Sequence, residues 1–241
     1  MHRVLIPVEV LEGETVPAPL VEALAGVPVV VLGYHVLPEQ TPPAQARLQF
    51  EDRALEVLDG ISEAFAAAGG DCETRLVFTH EAEQTFQRVA DETDCEAILL
   101  PNPVGTVEDV VVSLRGEVDP TRLALFVAAL VTARDLDVLL YYAATDEADR
   151  ETARERLTIA RDALVEAGVS ADRIHMDAVR TDAPVRDLGA VGAEYDLVVM
   201  GEGAPSLRSY VFGENHQRVA DRSVGPVLVL RREQPHGPDE P

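Results

Sequence analysis

The chain has 241 residues, of which 46% are hydrophobic, and carries 43 acidic against 20 basic side chains for a formal net charge of −23. That much apolar sequence excludes intrinsic disorder in spite of the charge. The acidic excess excludes a nucleic-acid-binding surface, since such affinity is built from phosphates neutralised by Lys and Arg, and it disfavours anionic membranes for the same reason. Every Lys/Arg position is Arg. A skin of this kind suits a cytosol at very high salt, where screening removes most of the self-repulsion, so we expect a halophilic host. An Arg-for-Lys bias from a GC-rich genome is a compatible origin.

MHRVLIPVEV enters a strand-like run at once, with no charged segment, apolar stretch and cleavage site of a leader. Short, β-branched apolar runs then follow at Val29 to Val36, Thr74 to Thr79, Ala97 to Leu100, Val110 to Leu114, Val138 to Tyr142, Ile174 to Val179, Leu197 to Met200 and Val227 to Leu230. Between them lie stretches of helical period. Ala54, Leu58, Ile61, Phe65 and Ala68 make one stripe that ends before Gly69, and Ala153, Leu157, Ala160 and Leu164 make another that ends before Gly168. Asp119 followed by Pro120 reads as an N-cap with proline at the first helical position, opening a helix through Leu130. Strands apolar on both faces and joined by helices predict an α/β fold with a parallel sheet. The longest apolar run, Leu123 to Val131, is far short of the ~20 residues a membrane span needs, so we expect no membrane insertion and a cytoplasmic protein.

The succession of elements repeats. VLIPVE at Val4 to Glu9 corresponds to VVVSLR at Val110 to Arg115, and AILLP at Ala97 to Pro101 to LVVMG at Leu197 to Gly201. Two homologous halves are the simplest account: residues 1–104, a truncated unit; residues 105–232, a complete one; and residues 233–241, a frayed tail. The first half passes from Ala97 to Leu100 through PNPVGTVED straight into the next strand. The second half adds a glycine-rich loop, a helix near Asn215 to Asp221 and the closing strand PVLVLR.

Other chemistry is sparse. Cys72 and Cys95 have no CxxC partner and read as small core residues of a reducing compartment. The six histidines, at 2, 35, 80, 175, 216 and 236, lack ligand spacing, so no metal is expected. No Gly-x-Ser-x-Gly elbow or Walker loop occurs. Tyr141, Tyr142 and Tyr210 either line a pocket at the strand ends or cap the core with their hydroxyls in water.

The closing stretch VVMGEGAPSLRSYVFGENHQRVADRSVGPVLVLR, with VLIPVE and VVVLGYHVLP in the first half, resembles the universal stress protein family. The shared features are a hydrophobic strand, a glycine turn, nine residues, a second glycine, a helix and a PVLVV-type strand. The resemblance covers nearly the whole chain. It implies two tandem doubly wound parallel-sheet domains of the adenine nucleotide α-hydrolase type, the first truncated. Nucleotide-binding members use an acid at the end of the first strand for the nucleoside, and the glycine loop with its hydroxyl for the phosphates. The resemblance therefore assigns Gly201, Gly203, Gly213, Glu214, Asn215 and Arg115 to a nucleotide loop and its surroundings, with departures. Gly201 and Gly203 are separated by one residue, Glu214 stands at the hydroxyl position, and Arg115 stands at the acid. Glu9 keeps the acid in the half that lacks the loop.

A carboxylate ~4 Å from a phosphate costs up to ~4 kcal/mol at an effective dielectric near 20, about a thousandfold in affinity. Glu214 at a helix start instead satisfies the dipole and the free N–H groups from within the chain. The expectation is a non-catalytic stress-response or regulatory protein with no cofactor, acting through a protein partner such as a transporter. The alternative is an adenine-nucleotide sensor or slow ATPase that binds ATP through the second half, with Arg115 as the cation. The resemblance also implies a homodimer through Val227 to Arg231, against an ordinary edge strand blunted by Arg231 and Arg232.

Overall fold

The structure, a computed structural model, describes residues 2–132, 134–202 and 225–232. Nine strands form one sheet in the order β3-β2-β1-β4-β9-β8-β5-β6-β7. In chain order the elements are β1 (Val4–Glu9), α1 (Ala18–Leu24), β2 (Val29–Val36), α2 (Pro43–Ala67), β3 (Cys72–Thr79), α3 (Ala82–Glu92) and β4 (Ala97–Leu100). They continue as β5 (Asp109–Ser113), α4 (Pro120–Val131), β6 (Asp137–Ala144), α5 (Glu147–Glu166), a 3-10 turn, β7 (Ile174–Arg180), α6 (Pro184–Gly192), β8 (Leu197–Gly201) and β9 (Val227–Leu230). The sequence signals act where expected. Asp119 accepts the Arg122 N–H at 2.9 Å to cap α4, and Gly69 and Gly168 follow α2 and α5 at φ +80° and +98°, a conformation that favours glycine.

Strand periodicity of two explains the layers. Val4, Ile6 and Val8 face one side and join a continuous core with α1, α2, α4 and α5. On the other side Leu5 packs with Phe86 and Val89 of α3, and Val111, Tyr141 and Val198 pack with Leu188 of α6. The interior strands are continuously buried, whereas the edge strands β3 and β7 are largely half-buried or exposed.

β9 corrects one expectation. It pairs in parallel with β8, Val198 opposite Val227, and antiparallel with β4, Ala97 opposite Leu230. Both of its edges are therefore taken within the chain, so Val227–Arg231 is neither a strand offered to a second copy nor a blunted edge. The physical reason is the short passage from β4 to β5. Among the described residues no strand from 1–104 covers that edge of β4, and β9 takes it.

The antiparallel joint also sets the orientation of the two halves. β1 to β4 run parallel to one another, as do β5, β6, β7, β8 and β9, and the joint opposes the two sets. The carboxyl ends of β1 and β4 lie at one end of the sheet and those of β5 and β8 at the other. Each pair is a point where the strand order reverses, the place where open α/β sheets bind ligands.

Candidate functional site

The crevice of the second half is framed by the end of β5, the loop from Leu114 to Asp119, the end of β6 and the end of β8. Arg115 leaves β5 and turns toward α5. Its Nη1 donates to the Ala143 carbonyl and to Asp149 Oδ2 at 2.9 Å, with side-chain exposures of 24% and 18% for the two partners of the ion pair. Asp149 lies in the first turn of α5, where the dipole favours an anion. It also accepts the Tyr142 hydroxyl at 2.7 Å, the Thr145 N–H at 2.8 Å and the Thr145 hydroxyl at 3.1 Å.

These donors decide its protonation. Burial pushes the Asp149 carboxyl up, but the Thr145 N–H, the Tyr142 hydroxyl and the Arg115 guanidinium outweigh it and hold the group below the usual carboxylate range. The same geometry pushes Tyr142 up to about 12, through burial first and the neighbouring carboxylate second. Tyr142 is thus neither a pocket wall nor a cap in water but a donor inside the network. Tyr141, 1% exposed, belongs to the core beneath α6.

A second cation fixes the loop itself. Arg156 of α5 donates from Nε to the Leu114 carbonyl at 2.8 Å and from Nη2 to the Val118 carbonyl at 2.5 Å. Val118, so held, lies directly over the end of β8: a Cβ added at Gly201 would stand 2.5 Å from Val118 Cγ2 and 2.6 Å from its Cβ. Gly201 is the last residue of β8, and close packing against Val118 accounts for it without any ligand.

Of the residues assigned from sequence, Arg115 and Gly201 thus frame one crevice. Gly203, Gly213, Glu214 and Asn215 lie outside the described residues, as do Tyr210, His216 and the helix expected near Asn215 to Asp221. Glu9, at the end of β1, is in the other crevice. Its N–H donates to Glu14 Oε2 at 2.9 Å. His2 pairs with Glu96 at 3.0 Å, and His80 Nδ1 is 3.2 Å from the Leu37 carbonyl. Among the described residues there is no group of His, Cys, Asp or Glu side chains arranged to hold a metal ion, and no helix long and apolar enough to cross a membrane. Both cysteines are free thiols, Cys95 buried and Cys72 only half-buried, and burial pushes both upward in pKa.

Asp149, Thr145, Val118 and Arg156 were missed in the sequence. One signal was present: Asp146 caps α5 by accepting the Asp149 N–H at 2.9 Å, an acid three residues after a capping acid that marks a helix start. Nothing local linked it to Arg115, 34 residues earlier.

No family model and no curated protein matches the sequence. Among solved structures, a universal stress protein from Archaeoglobus fulgidus DSM 4304 superposes with a TM-score of 0.61 over 99% of this chain and 97% of that one, at 15% identity. The chain has the universal stress protein fold. Two shorter structures align with parts of it. One is a universal stress protein solved in complex with cAMP, at 24% identity over 54% of this chain and 100% of that one, TM-score 0.40. The other is the Archaeoglobus fulgidus universal stress protein in complex with dAMP, at 17% identity over 52% and 97%, TM-score 0.37. On the universal stress protein fold the Arg115 network sits at the carboxyl end of the sheet, where the topology directs a ligand.

Proposed function

We propose that the chain is a universal stress protein-like stress-response or regulatory protein, built as two tandem units, non-catalytic, and acting through a protein partner, with a transporter as the class we name. Its nucleotide site is degenerate. The observation that carries this reading is the state of Arg115. The position that takes an acid in nucleotide-binding relatives holds a cation here, so it has no acceptor for a sugar hydroxyl. Nor is its charge open to a phosphate. Asp149 matches it, and a phosphate would have to displace a carboxylate that three further hydrogen bonds hold in place. Glu214, at the loop's hydroxyl position, adds an anion of the same sign as the ligand. We place the protein in the cytoplasm of a halophilic archaeon, a reading supported by the net charge of −23 and the exclusive use of Arg.

Isothermal titration with ATP in multimolar KCl tests the reading. The expected outcome is no binding by the natural sequence and a measurable affinity for Glu214→Ser, which restores the hydroxyl and removes the charge. Micromolar affinity in the natural sequence would overturn it in favour of an adenine-nucleotide sensor.

A further inference from the structure

Arg231 has its backbone in one half of the molecule and its guanidinium in the other. On the side of the second half, the rim of the crevice grips the chain around it: Glu202 N–H donates to the Leu230 carbonyl at 2.6 Å, Arg122 Nη1 to the Arg231 carbonyl at 2.6 Å, and Arg232 N–H to Glu202 Oε2 at 2.9 Å. Arg122 belongs to the first turn of α4, at the end of the loop that carries Arg115 and Val118. On the side of the first half, the Arg231 guanidinium donates to Gln87 Oε1 at 3.2 Å, to the Cys95 carbonyl at 3.1 Å and to Asp91. Gln87 and Asp91 are on α3, and Cys95 is in the turn from α3 to β4. The residue is 8% exposed and its bond to the Cys95 carbonyl is buried, a shielded setting that strengthens it, while Asp91 stands at the water-exposed side of the contact.

The antiparallel joint is what makes this possible, because it sets the carboxyl end of β9 against the amino end of β4, where Arg231 N–H donates to the Glu96 carbonyl at 2.8 Å. We propose that Arg231 is a coupling element: it makes the packing of α3 in the first half depend on the conformation of the crevice rim in the second. Anything that rearranges the rim, a ligand or a partner protein, then changes the stability of a helix on the other half, and the dependence is reciprocal. This holds whatever the crevice binds.

The test uses two variants of the full chain that cut the connection from opposite sides, read by amide hydrogen exchange. Arg122→Ala loosens the rim's hold on residue 231 without altering a side chain that Arg231 touches on α3. Asp91→Asn weakens the hold on α3 without altering a side chain of the rim. The expected result is at least tenfold faster exchange across the joint in both cases, in residues 82–95 for Arg122→Ala and in residues 114–119 for Asp91→Asn. Circular dichroism verifies that each variant is folded. If each substitution accelerates exchange only in its own half, the coupling does not exist and Arg231 is a static fastening.

Discussion

The two crevices are built from the same succession of strands and are held in different ways. At the end of β1 the chain presents Glu9, and the loop beyond it is tied down locally by Glu14. At the end of β5 it presents Arg115, and the loop beyond it is fastened by the guanidiniums of Arg115 and Arg156 to α5 and the end of β6. The joint with the other half differs likewise. The first crevice reaches across through Asn102 Nδ2, which donates to the Gly225 carbonyl at 3.1 Å in an exposed position. The second reaches across through the buried Arg231. A change of one side chain from the acid Glu9 to the cation Arg115 thus recruits a carboxylate and closes a network of side chains at the second crevice.

Arg231→Ala breaks this asymmetry most directly. It deletes a nearly buried cation together with the hydrogen bonds that it gives to Asp91, Gln87 and the Cys95 carbonyl. The cost is about 3 kcal/mol, the upper end for hydrogen bonds made by a charged group, since Arg231 is buried while Asp91 is exposed to water. Urea unfolding in high salt measures it. A loss below about 1 kcal/mol, the size of one ordinary hydrogen bond, would mean that the β4·β9 ladder alone holds the joint. The next effect, about 2 kcal/mol, is expected from Gly201→Ala, whose methyl group meets Val118 at overlapping distance. It sharpens the comparison because it separates packing from ligand binding as the reason for the glycine. Adding Val118→Ala should make the double variant more stable than the sum of the two single losses predicts, by about 1 kcal/mol or more. Additive losses would show that Val118 is not what excludes a side chain there.

How legible these features were in the sequence follows from their range. The order of strands and helices was readable because it rests on local periodicity and local punctuation: the stripe from Ala54 to Phe65, the glycine after α2, the cap at Asp119. The placement of β9 was not. A four-residue apolar strand fits an outer edge, an interface between copies or the middle of a sheet equally well, and its antiparallel partner at Ala97 to Leu100 lies 127 to 133 residues away in sequence. Arg231 is ambiguous for the same reason. In sequence it fits the end of a strand that pairs two copies or, with Arg232, a charge that blunts an edge, whereas its partners on α3 and in the turn after it bury it. At the crevice, Arg115 was visible as a departure from an acid, but its neutralisation by Asp149 required the fold to bring the ends of β5 and β6 against the start of α5. Cys72, expected in the core, lies at the outer edge strand and is only half-buried.

The Arg115 network makes the smallest and most specific prediction, because it ties stability to pH. The folded Asp149 carboxyl lies below its unfolded value of about 3.9, so its stabilising contribution is fully present above that pH and disappears as pH falls through the folded value. Asp149→Asn removes the charge and places an amide where four donors converge. The expected loss at neutral pH is about 1.5 kcal/mol, and the difference between variant and natural protein should shrink as the solution is acidified. Tyr142 gives the opposite limb. Its folded value of about 12 lies above the unfolded value of about 10, so its contribution is complete below pH ~10 and is lost as pH rises toward 12. Tyr142→Phe should flatten part of that alkaline decline, leaving the share of Tyr141, which is raised to about 12 by its own burial. Chemical unfolding at a series of pH values measures both limbs. A difference between Asp149→Asn and the natural protein that is constant down to pH 2 would mean that the carboxylate carries no special stabilisation, and that Arg115 keeps a charge the crevice can offer to an anion.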